Sequence, residues 1–326
     1  MTRILLTGGA GFIGSHLAEA LIRLGATLSI VDNLDNFYAP SRKRRNLQEI
    51  GDTGAYEFFE ADLRDIDALR RVAQQVHPEI VIHLAARAGV RPSIEQPALY
   101  ESVNVGGTVN LLEIAREFKV QRLIFGSSSS VYGVTNTVPF CEDDPRTRPI
   151  SPYAATKLAA ELMCYTYAHL YGLTTICLRF FTVYGPRQRP DLAIHKFTAL
   201  IEAGEPIPVY GDGSMGRDYT YVDDIVSGVI GSLEYTPLSK VSFEVFNLGN
   251  SNPVRLRELI AQLEAATGKR AKQQSLPDQP GDVPITWANI DKAKRLLGYS
   301  PRTSMEVGLR NFVAWYRSNC LEAENK

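Results

Sequence analysis

The sequence is poor in residues that build metal and disulfide sites. Its four cysteines are scattered without any CxxC pair, so they indicate neither a zinc knuckle nor a disulfide framework. They are Cys141, Cys164, Cys177 and Cys320. The five histidines show no ligand spacing with one another or with a nearby carboxylate. We therefore expect no metal in this protein.

An excess of charge of either sign is also missing. Lys and Arg number 35 against 36 Asp and Glu, a formal net charge of −1, which gives no general attraction to nucleic acid. No apolar run approaches the roughly 20 residues of a membrane span. The first residues, "MTRILLTGG", are typical of a strand and its turn rather than of a cleavable leader. We expect a cytoplasmic protein whose partner is a small molecule, not a nucleic acid or a membrane.

Short β-branched runs alternate with longer amphipathic segments in the first half of the chain. The runs are "RILLT" at 3, "TLSIV" at 27, "EIVIHLA" at 79, "RLIFGS" at 122 and "TTICLRF" at 174. This alternation predicts an α/β fold, with a parallel sheet covered by helices on both faces.

After about residue 180 the pattern loosens into segments rich in Pro and Gly, such as "YGPRQRP" and "AGEPIPVYGDG". We expect a smaller C-terminal α/β lobe there.

The turn after the first strand has the composition of a phosphate-binding turn. Gly8, Gly11 and Gly14 follow "RILLT" and open an amphipathic helix, the context in which a glycine triplet is informative. Asp32 ends the second strand, where its carboxylate is placed to accept both ribose hydroxyls of an adenosine and to repel a 2′-phosphate. Asp62, in "ADLRD", follows the third strand within reach of the adenine amine. These features favour NAD over NADP.

The run "RKRR" at 42–45 is the one feature that points the other way. Four adjacent positive charges would suit a 2′-phosphate or a nucleic acid. On a helix, however, they fan out around the axis and usually form a solvated face, which is the interpretation that we adopt.

Hydroxyl groups meet a tyrosine and a lysine at the predicted carboxyl edge of the sheet. The fifth strand runs into "FGSSSSVYG", and "SPYAATK" opens a helix with Ser151 as its cap and Pro152 at its first position. Tyr153 and Lys157, four residues apart, share one face of that helix. A tyrosine is a poor base unless positive charge stabilises its phenolate, so we expect Lys157 to lower the pKa of Tyr153.

Together these motifs resemble the extended short-chain dehydrogenases that act on nucleotide sugars. The resemblance covers essentially the whole chain, through "TGGAGFIG", "HLAA", "SSSSVYG", "YAATK", "RFFTVYGP" and "GRDYTYVDD" in that order. It implies Tyr153 as the base, Lys157 as its partner, which also holds the nicotinamide ribose, and Ser128 as the group that binds the reacting hydroxyl. It implies NAD as the cofactor, a UDP-sugar as the substrate and a homodimer. It also implies a domain of Rossmann type, a doubly wound parallel sheet, that comprises 1–178 and 217–248 and binds NAD. The smaller C-terminal α/β lobe, 179–216 and 249–320, is then expected to bind the nucleotide sugar. The implied cofactor-binding residues are Gly8, Gly11, Phe12, Ile13, Gly14, Asp32, Asn33, Asp62, Leu63, Leu84, Ala85, Ala86, Asn104, Lys157 and Phe180.

At several positions this chain differs from related proteins of the family, and these differences bear on the type of reaction and on the identity of the sugar. Related dehydratases and decarboxylases carry acidic residues where this chain has Ser129 and Ser130, so the simplest chemistry is reversible oxidation at carbon 4. Gln279 replaces a phosphate-binding arginine of the galactose epimerases, and Thr182 replaces an asparagine of their sugar pocket. Arg217 and Arg189 are the candidate phosphate ligands, and Arg91 is a further candidate for charge in the pocket.

The sequence is most similar to the UDP-glucuronate 4-epimerases of this family. The implied activity is 4-epimerisation of a UDP-uronic acid, with its carboxylate held by Thr182 and one or both of Ser129 and Ser130. The alternatives are a 4-epimerase of neutral UDP-hexoses, another nucleotide-sugar-modifying relative and, from a different class, a catalytically silent NAD-binding regulator.

Overall fold

The computed structural model describes residues 1–134, 137–145, 147–237, 240–277 and 283–321. Its strands are β1 (Arg3–Thr7), β2 (Thr27–Asp32), β3 (Glu57–Glu60), β4 (Ile80–His83), β5 (Arg122–Ser128), β6 (Thr174–Phe180), β7 (Thr182–Tyr184), β8 (Ile207–Tyr210), β9 (Gly216–Tyr221), β10 (Phe243–Leu248), β11 (Pro253–Arg255) and β12 (Gln273–Leu276).

The α-helices alternate with these strands. They are α1 (Phe12–Arg23), α2 (Pro40–Thr53), α3 (Ile66–Val76), α4 (Val90–Glu95), α5 (Pro97–Tyr100), α6 (Gly107–Glu117), α7 (Pro152–Tyr171), α8 (Ala193–Ala203), α9 (Val222–Glu234), α10 (Leu256–Thr267), α11 (Asp291–Leu297) and α12 (Met305–Tyr316). A π-helical segment, Glu101–Gly106, joins α5 to α6, and a second one, Arg317–Leu321, follows α12. Within the described ranges, no helix combines the length and the apolar character needed to cross a membrane.

A seven-stranded parallel sheet forms the centre of the molecule. Its strand order is β10-β6-β5-β4-β1-β2-β3, so the direction of winding reverses between β1 and β4. Ligands of such sheets bind at this switch point, beyond the carboxyl ends of the strands. The predicted doubly wound, Rossmann-type sheet is confirmed.

Alternate residues of each strand enter two separate apolar layers. In β1, Ile4 and Leu6 face a layer shared with α1 and α9, whereas Leu5 faces a layer shared with α3 and α6. The first layer continues into the C-terminal part of the chain, where Leu259 of α10 and Phe312 of α12 are completely buried. The sheet and the C-terminal lobe therefore share one continuous core.

The C-terminal lobe contains two small sheets. One has the order β11-β9-β7 and the other pairs β12 with β8. Residues 217–221, which we assigned to the cofactor domain, lie in β9 of the three-stranded sheet, whereas α9 packs against α1 and the central sheet. The division of the chain into two lobes at the stated residues stays a prediction.

Candidate active site

A cavity of about 470 Å³ opens at the switch point of the central sheet. It brings together most of the predicted site residues. Those that line it are Gly8, Gly11, Phe12, Ile13, Gly14, Asp32, Asn33, Asp62, Leu63, Leu84, Ala85, Ala86, Ser128, Ser129, Ser130, Tyr153, Lys157, Phe180, Thr182 and Arg189. The described residues hold no group of three or more His, Cys, Asp or Glu side chains suited to a metal ion.

The glycine turn brings bare backbone to the wall of this cavity. Gly8 has φ +75°, and a Cβ there would lie 2.6 Å from the Ala85 nitrogen. A Cβ on Gly14 would lie 2.1 Å from the Gly8 oxygen, so glycine is required at both positions. Helix α1 begins after Gly11 without a side-chain cap, which leaves the N–H groups of its first turn directed at the cavity. This turn fits the pyrophosphate of a dinucleotide.

An ion pair marks the end of the cavity where an adenosine ribose would bind. Asp32 and Lys43 have side chains that are 6% and 9% exposed, and Lys43 Nζ lies 3.6 Å from Asp32 Oδ1. The interpretation of "RKRR" as a solvated face is therefore wrong for Lys43, although the Arg44 side chain is 63% exposed. Lys43 is turned inward because it shares the buried face of α2 with Leu47 and Ile50, at spacings of four and three residues.

Asp62 is held as a charged acceptor beside this end of the cavity. The Arg64 guanidinium donates to both of its oxygens, at 2.9 and 2.8 Å, and Asn33 Nδ2 donates to Oδ2 at 2.9 Å. Hydrogen bonds from Arg64 hold the pKa of the Asp62 carboxyl well below its usual range. This carboxylate is ionised at every physiological pH, as an acceptor for an exocyclic amine should be.

The serine, tyrosine and lysine of the predicted catalytic set meet at the ends of β5 and α7. The Ser151 hydroxyl caps α7, accepting from the Ala154 nitrogen at 3.2 Å, as the sequence predicted. Tyr153 is half-buried, and its phenol hydrogen-bonds to the Ser128 hydroxyl. Lys157 is 3% exposed and donates to the Gly126 carbonyl at 2.8 Å. Geometry alone thus places a base, a hydroxyl ligand and a cation in one cavity.

The charges around Tyr153 differ from the sequence-based expectation. Burial raises the pKa of Tyr153, whereas the hydrogen bond from Ser128 and the positive charge of Arg189 act in the opposite direction. Burial lowers the pKa of Lys157 to about 8, and the charge of Glu161 opposes this shift. Arg189 is therefore a positive charge that acts on Tyr153 and that the sequence analysis had assigned only to phosphate, whereas the expected effect of Lys157 on the pKa of Tyr153 stays a prediction.

An aromatic side chain that the sequence analysis missed, Phe37, lies close to two arginines at the cavity. The guanidinium of Arg87 lies 4.9 Å from the centre of the Phe37 ring, and that of Arg189 lies 5.2 Å from the same ring. Arg87 forms an ion pair with Asp35, and Arg189 donates to Asp191 at 2.9 and 2.7 Å. The sequence offered one signal that Arg87 lies at the cavity: it directly follows "HLAA", at the carboxyl end of β4.

Three predicted residues lie outside the cavity wall. Asn104 supports it from behind, accepting from the Arg87 nitrogen at 2.8 Å and donating to Thr156 Oγ1 at 3.0 Å. Arg217 donates to the carbonyls of Gly216 and Val283, at 2.8 and 2.7 Å. Arg91 lies 5.4 Å from the centre of the Tyr210 ring. Their binding roles stay predictions, and Gln279 lies outside the described residues.

Comparison with known proteins gives a consistent result. The family model described as GDP-mannose 4,6 dehydratase matches residues 5–312. A protein named UDP-glucuronate 4-epimerase from Thermodesulfobacterium geofontis is 44% identical over 316 residues, which cover 97% of this chain and 96% of that relative.

Two solved structures have the same fold over nearly their whole length. One is a UDP-glucuronic acid 4-epimerase from Bacillus cereus in complex with UDP-glucuronic acid and NAD, with a TM-score of 0.89 and 36% identity, covering 97% of this chain and 99% of that one. The other is a UDP-glucose 4-epimerase from Thermotoga maritima with UDP-glucose, with a TM-score of 0.88 and 35% identity, covering 97% and 98%.

Proposed function

The chain belongs to the family of extended short-chain dehydrogenases that the GDP-mannose 4,6 dehydratase model describes, and from this we propose that it is an NAD-dependent UDP-glucuronate 4-epimerase. It interconverts UDP-glucuronate and UDP-galacturonate. The observation that carries this proposal is the meeting, in one cavity, of the glycine turn with Ser128, Tyr153 and Lys157. No silent regulator of the same fold would need that set.

The N-terminus of α1 and the Asp32–Lys43 pair suit a dinucleotide. The N–H groups after Gly11 are placed to bind its pyrophosphate, and Asp32 to accept from the adenosine ribose. NAD held there would supply the acceptor for the hydride of carbon 4 and the donor for its return.

Tyr153 and Ser128 carry out the proton transfer at the oxygen of carbon 4. The Tyr153 phenolate accepts the proton of the 4-hydroxyl as that carbon is oxidised to a ketone, and Ser128 hydrogen-bonds to the same oxygen. The cations Arg189 and Lys157 stabilise the phenolate. The 4-keto sugar then rotates so that its other face is reduced. Tyr153 returns the proton to the oxygen, and the new hydroxyl group has the opposite configuration.

The neutral hydroxyl groups around the cavity suit a carboxylate that must survive this chemistry. A 4-ketouronate is a β-keto acid, which loses carbon dioxide readily when its carboxylate stands perpendicular to the developing enolate. Ser129, Ser130 and Thr182 line the cavity and donate hydrogen bonds without acting as strong acids. We assign to them the role of holding the carboxylate in the plane of the ketone.

Product analysis tests the activity. Purified protein is incubated with UDP-glucuronate and the nucleotide sugars are separated. UDP-galacturonate with little UDP-pentose is expected. Mostly UDP-pentose would mean decarboxylation, and rapid turnover of UDP-glucose alone would identify a neutral-hexose epimerase.

We further propose a homodimer formed through α7 and α6. On α7, Leu162, Tyr165, Leu170 and Tyr171 are 60%, 45%, 60% and 53% exposed, which is unusual for large apolar side chains on one helix. Light scattering should show a dimer for the wild type and a monomer for Leu162→Asp. The control is Leu24→Asp, since Leu24 is 63% exposed at the end of α1. A monomeric wild type would exclude the dimer.

Three narrower assignments belong to the same proposal. We assign the cofactor to a domain of residues 1–178 and 217–248 and the nucleotide sugar to a lobe of residues 179–216 and 249–320. From the first domain, Arg217 would reach the phosphates of the sugar nucleotide and Arg91 would add charge to the sugar pocket. The cytoplasm is the proposed location, and its reducing conditions are compatible with the four cysteines, which all lie in the described residues and form no disulfide there.

A further inference from the structure

A buried carboxylate lies one helical turn beyond Lys157. Glu161 is 3% exposed, and its Oε1 accepts from Ser127 Oγ at 2.5 Å and from Arg179 Nε at 3.0 Å. Its Oε2 accepts from Arg179 Nη2 at 2.8 Å. Arg179 is itself 5% exposed, so the whole group is shielded from solvent.

Glu161 connects the helix that carries the base to the strand that carries the serine. Its partner Ser127 lies between Gly126, whose carbonyl accepts from Lys157, and Ser128, whose hydroxyl bonds to Tyr153. Ser127 and Arg179 are directly paired in the register of β5 and β6. One carboxylate therefore holds α7 against two adjacent strands at the point where the catalytic groups meet.

The same carboxylate is the negative charge nearest to Lys157 on α7. Burial favours the neutral amine of Lys157, and Glu161 is the leading influence in the other direction, ahead of Cys164 on α7 and Cys177 on β6. Other titratable groups near the lysine include Tyr153 one turn earlier and His83 on β4, whose own pKa Lys157 lowers. Removing the charge of Glu161 would therefore favour the uncharged lysine.

We propose that Glu161 is a positioning residue for the epimerase reaction, which keeps Lys157 protonated and fixes the separation of Tyr153 from Ser128. This inference rests on the proposed function, because it assigns Glu161 a role in the same proton transfer. The competing explanation is a buried ion pair that only stabilises the fold. Such pairs are often replaceable by neutral groups without loss of stability.

The test compares Glu161→Gln, Glu161→Asp and the double variant Glu161→Gln with Arg179→Gln. Glu161→Gln removes the charge but little volume, and the double variant also removes the arginine charge that would otherwise remain buried and unpaired. The matched control is Glu202→Gln, since Glu202 has a side chain that is 3% exposed and pairs with Lys269 and Arg317 in the C-terminal lobe.

We expect Glu161→Gln to lower kcat at least tenfold with little change in KM. Its profile of kcat against pH should lose activity at a lower pH on the basic side, because Lys157 gives up its proton earlier. Glu161→Asp should recover part of kcat and the wild-type basic limb. The double variant should regain thermal stability but should regain neither the wild-type kcat nor the wild-type basic limb. Recovery of kcat in step with thermal stability, or an unmoved basic limb, would overturn the proposal.

A readout without turnover separates this inference from the proposed function. Acetylation of Lys157 by acetic anhydride, followed across pH by peptide mass spectrometry, reports the unprotonated amine directly. Its midpoint should fall in Glu161→Gln and stay unchanged in Glu202→Gln. A wild type inactive on UDP-glucuronate would refute the proposed function, whereas an unmoved labelling midpoint would refute the role of Glu161.

Discussion

Replacement of Lys43 by methionine should sharpen the preference for NAD over NADP. The change keeps the length of the side chain and its packing beside Tyr38 but removes the positive charge that lies 3.6 Å from Asp32. In the wild type, Lys43 offsets part of the repulsion that Asp32 exerts on a 2′-phosphate. Methionine would leave that repulsion at full strength.

The size of the effect follows from the two opposing charges. A carboxylate and a phosphate about 4 Å apart repel by about 4 kcal/mol at an effective dielectric constant of about 20. A charge-assisted hydrogen bond from Lys43 to the phosphate returns about 1.5–3 kcal/mol. The wild type should then discriminate against NADP by about 1–2.5 kcal/mol, or about 5- to 70-fold. Lys43→Met should raise this ratio by a further factor of about 10–150.

The assay is calorimetric titration of protein stripped of nucleotide with NAD and with NADP. Arg44→Met is the control, because Arg44 is the next residue of α2 but its side chain is 63% exposed and pairs with Glu60. An unchanged affinity ratio in Lys43→Met, or the same change in Arg44→Met, would show that Lys43 does not reach the ribose end of the cofactor.

Three further outcomes are expected. Tyr153→Phe removes the base with little change in volume, so kcat should fall by at least about 10³-fold while bound NAD and thermal stability persist; activity within a few fold of wild type would contradict its role. Gly14→Ala places a methyl group 2.1 Å from the Gly8 oxygen, so NAD binding and the Tm should both drop, and wild-type values of both would refute the close turn. Burial lowers the pKa of His83 to about 3, so its neutral form contributes stability that is complete above about pH 6.5 and is lost as the pH falls towards 3, by up to about 1.4 kcal/mol per pH unit. In urea titrations His83→Gln should flatten this acid loss, whereas His77→Asn at an exposed site should not.

The predictable part of the site depends on local spacing. Gly8, Gly11 and Gly14 belong to one turn, and Tyr153 and Lys157 to one helix, so the rules for strand ends and helix faces place them without knowledge of tertiary contacts. The parallel, doubly wound central sheet follows from the alternation of strand and helix patterns.

The unpredicted part depends on how elements are rotated and charged within the fold. The spacing of Lys43 from Leu47 and Ile50 indicates that its side chain points inward, but the charges of the adjacent residues suggested a solvated face. Arg189 influences the pKa of Tyr153 although the two residues are 36 positions apart in the sequence, and Arg189 lies in a loop with no regular pattern. Likewise, the pairing of β9 with β7 instead of the central sheet has no local signal.

The junction between β6 and β7 is a single residue, Phe181. It is 3% exposed, and its nitrogen donates to the Leu248 carbonyl at 3.0 Å, which ties it to β10. The two residues that flank it, Phe180 and Thr182, both line the cavity. Because this junction is short, buried and bonded to β10, we expect no hinge here between the central sheet and the three-stranded sheet. In the proposed reaction, the 4-keto sugar would then present its second face by rotating within the cavity, without movement at this junction.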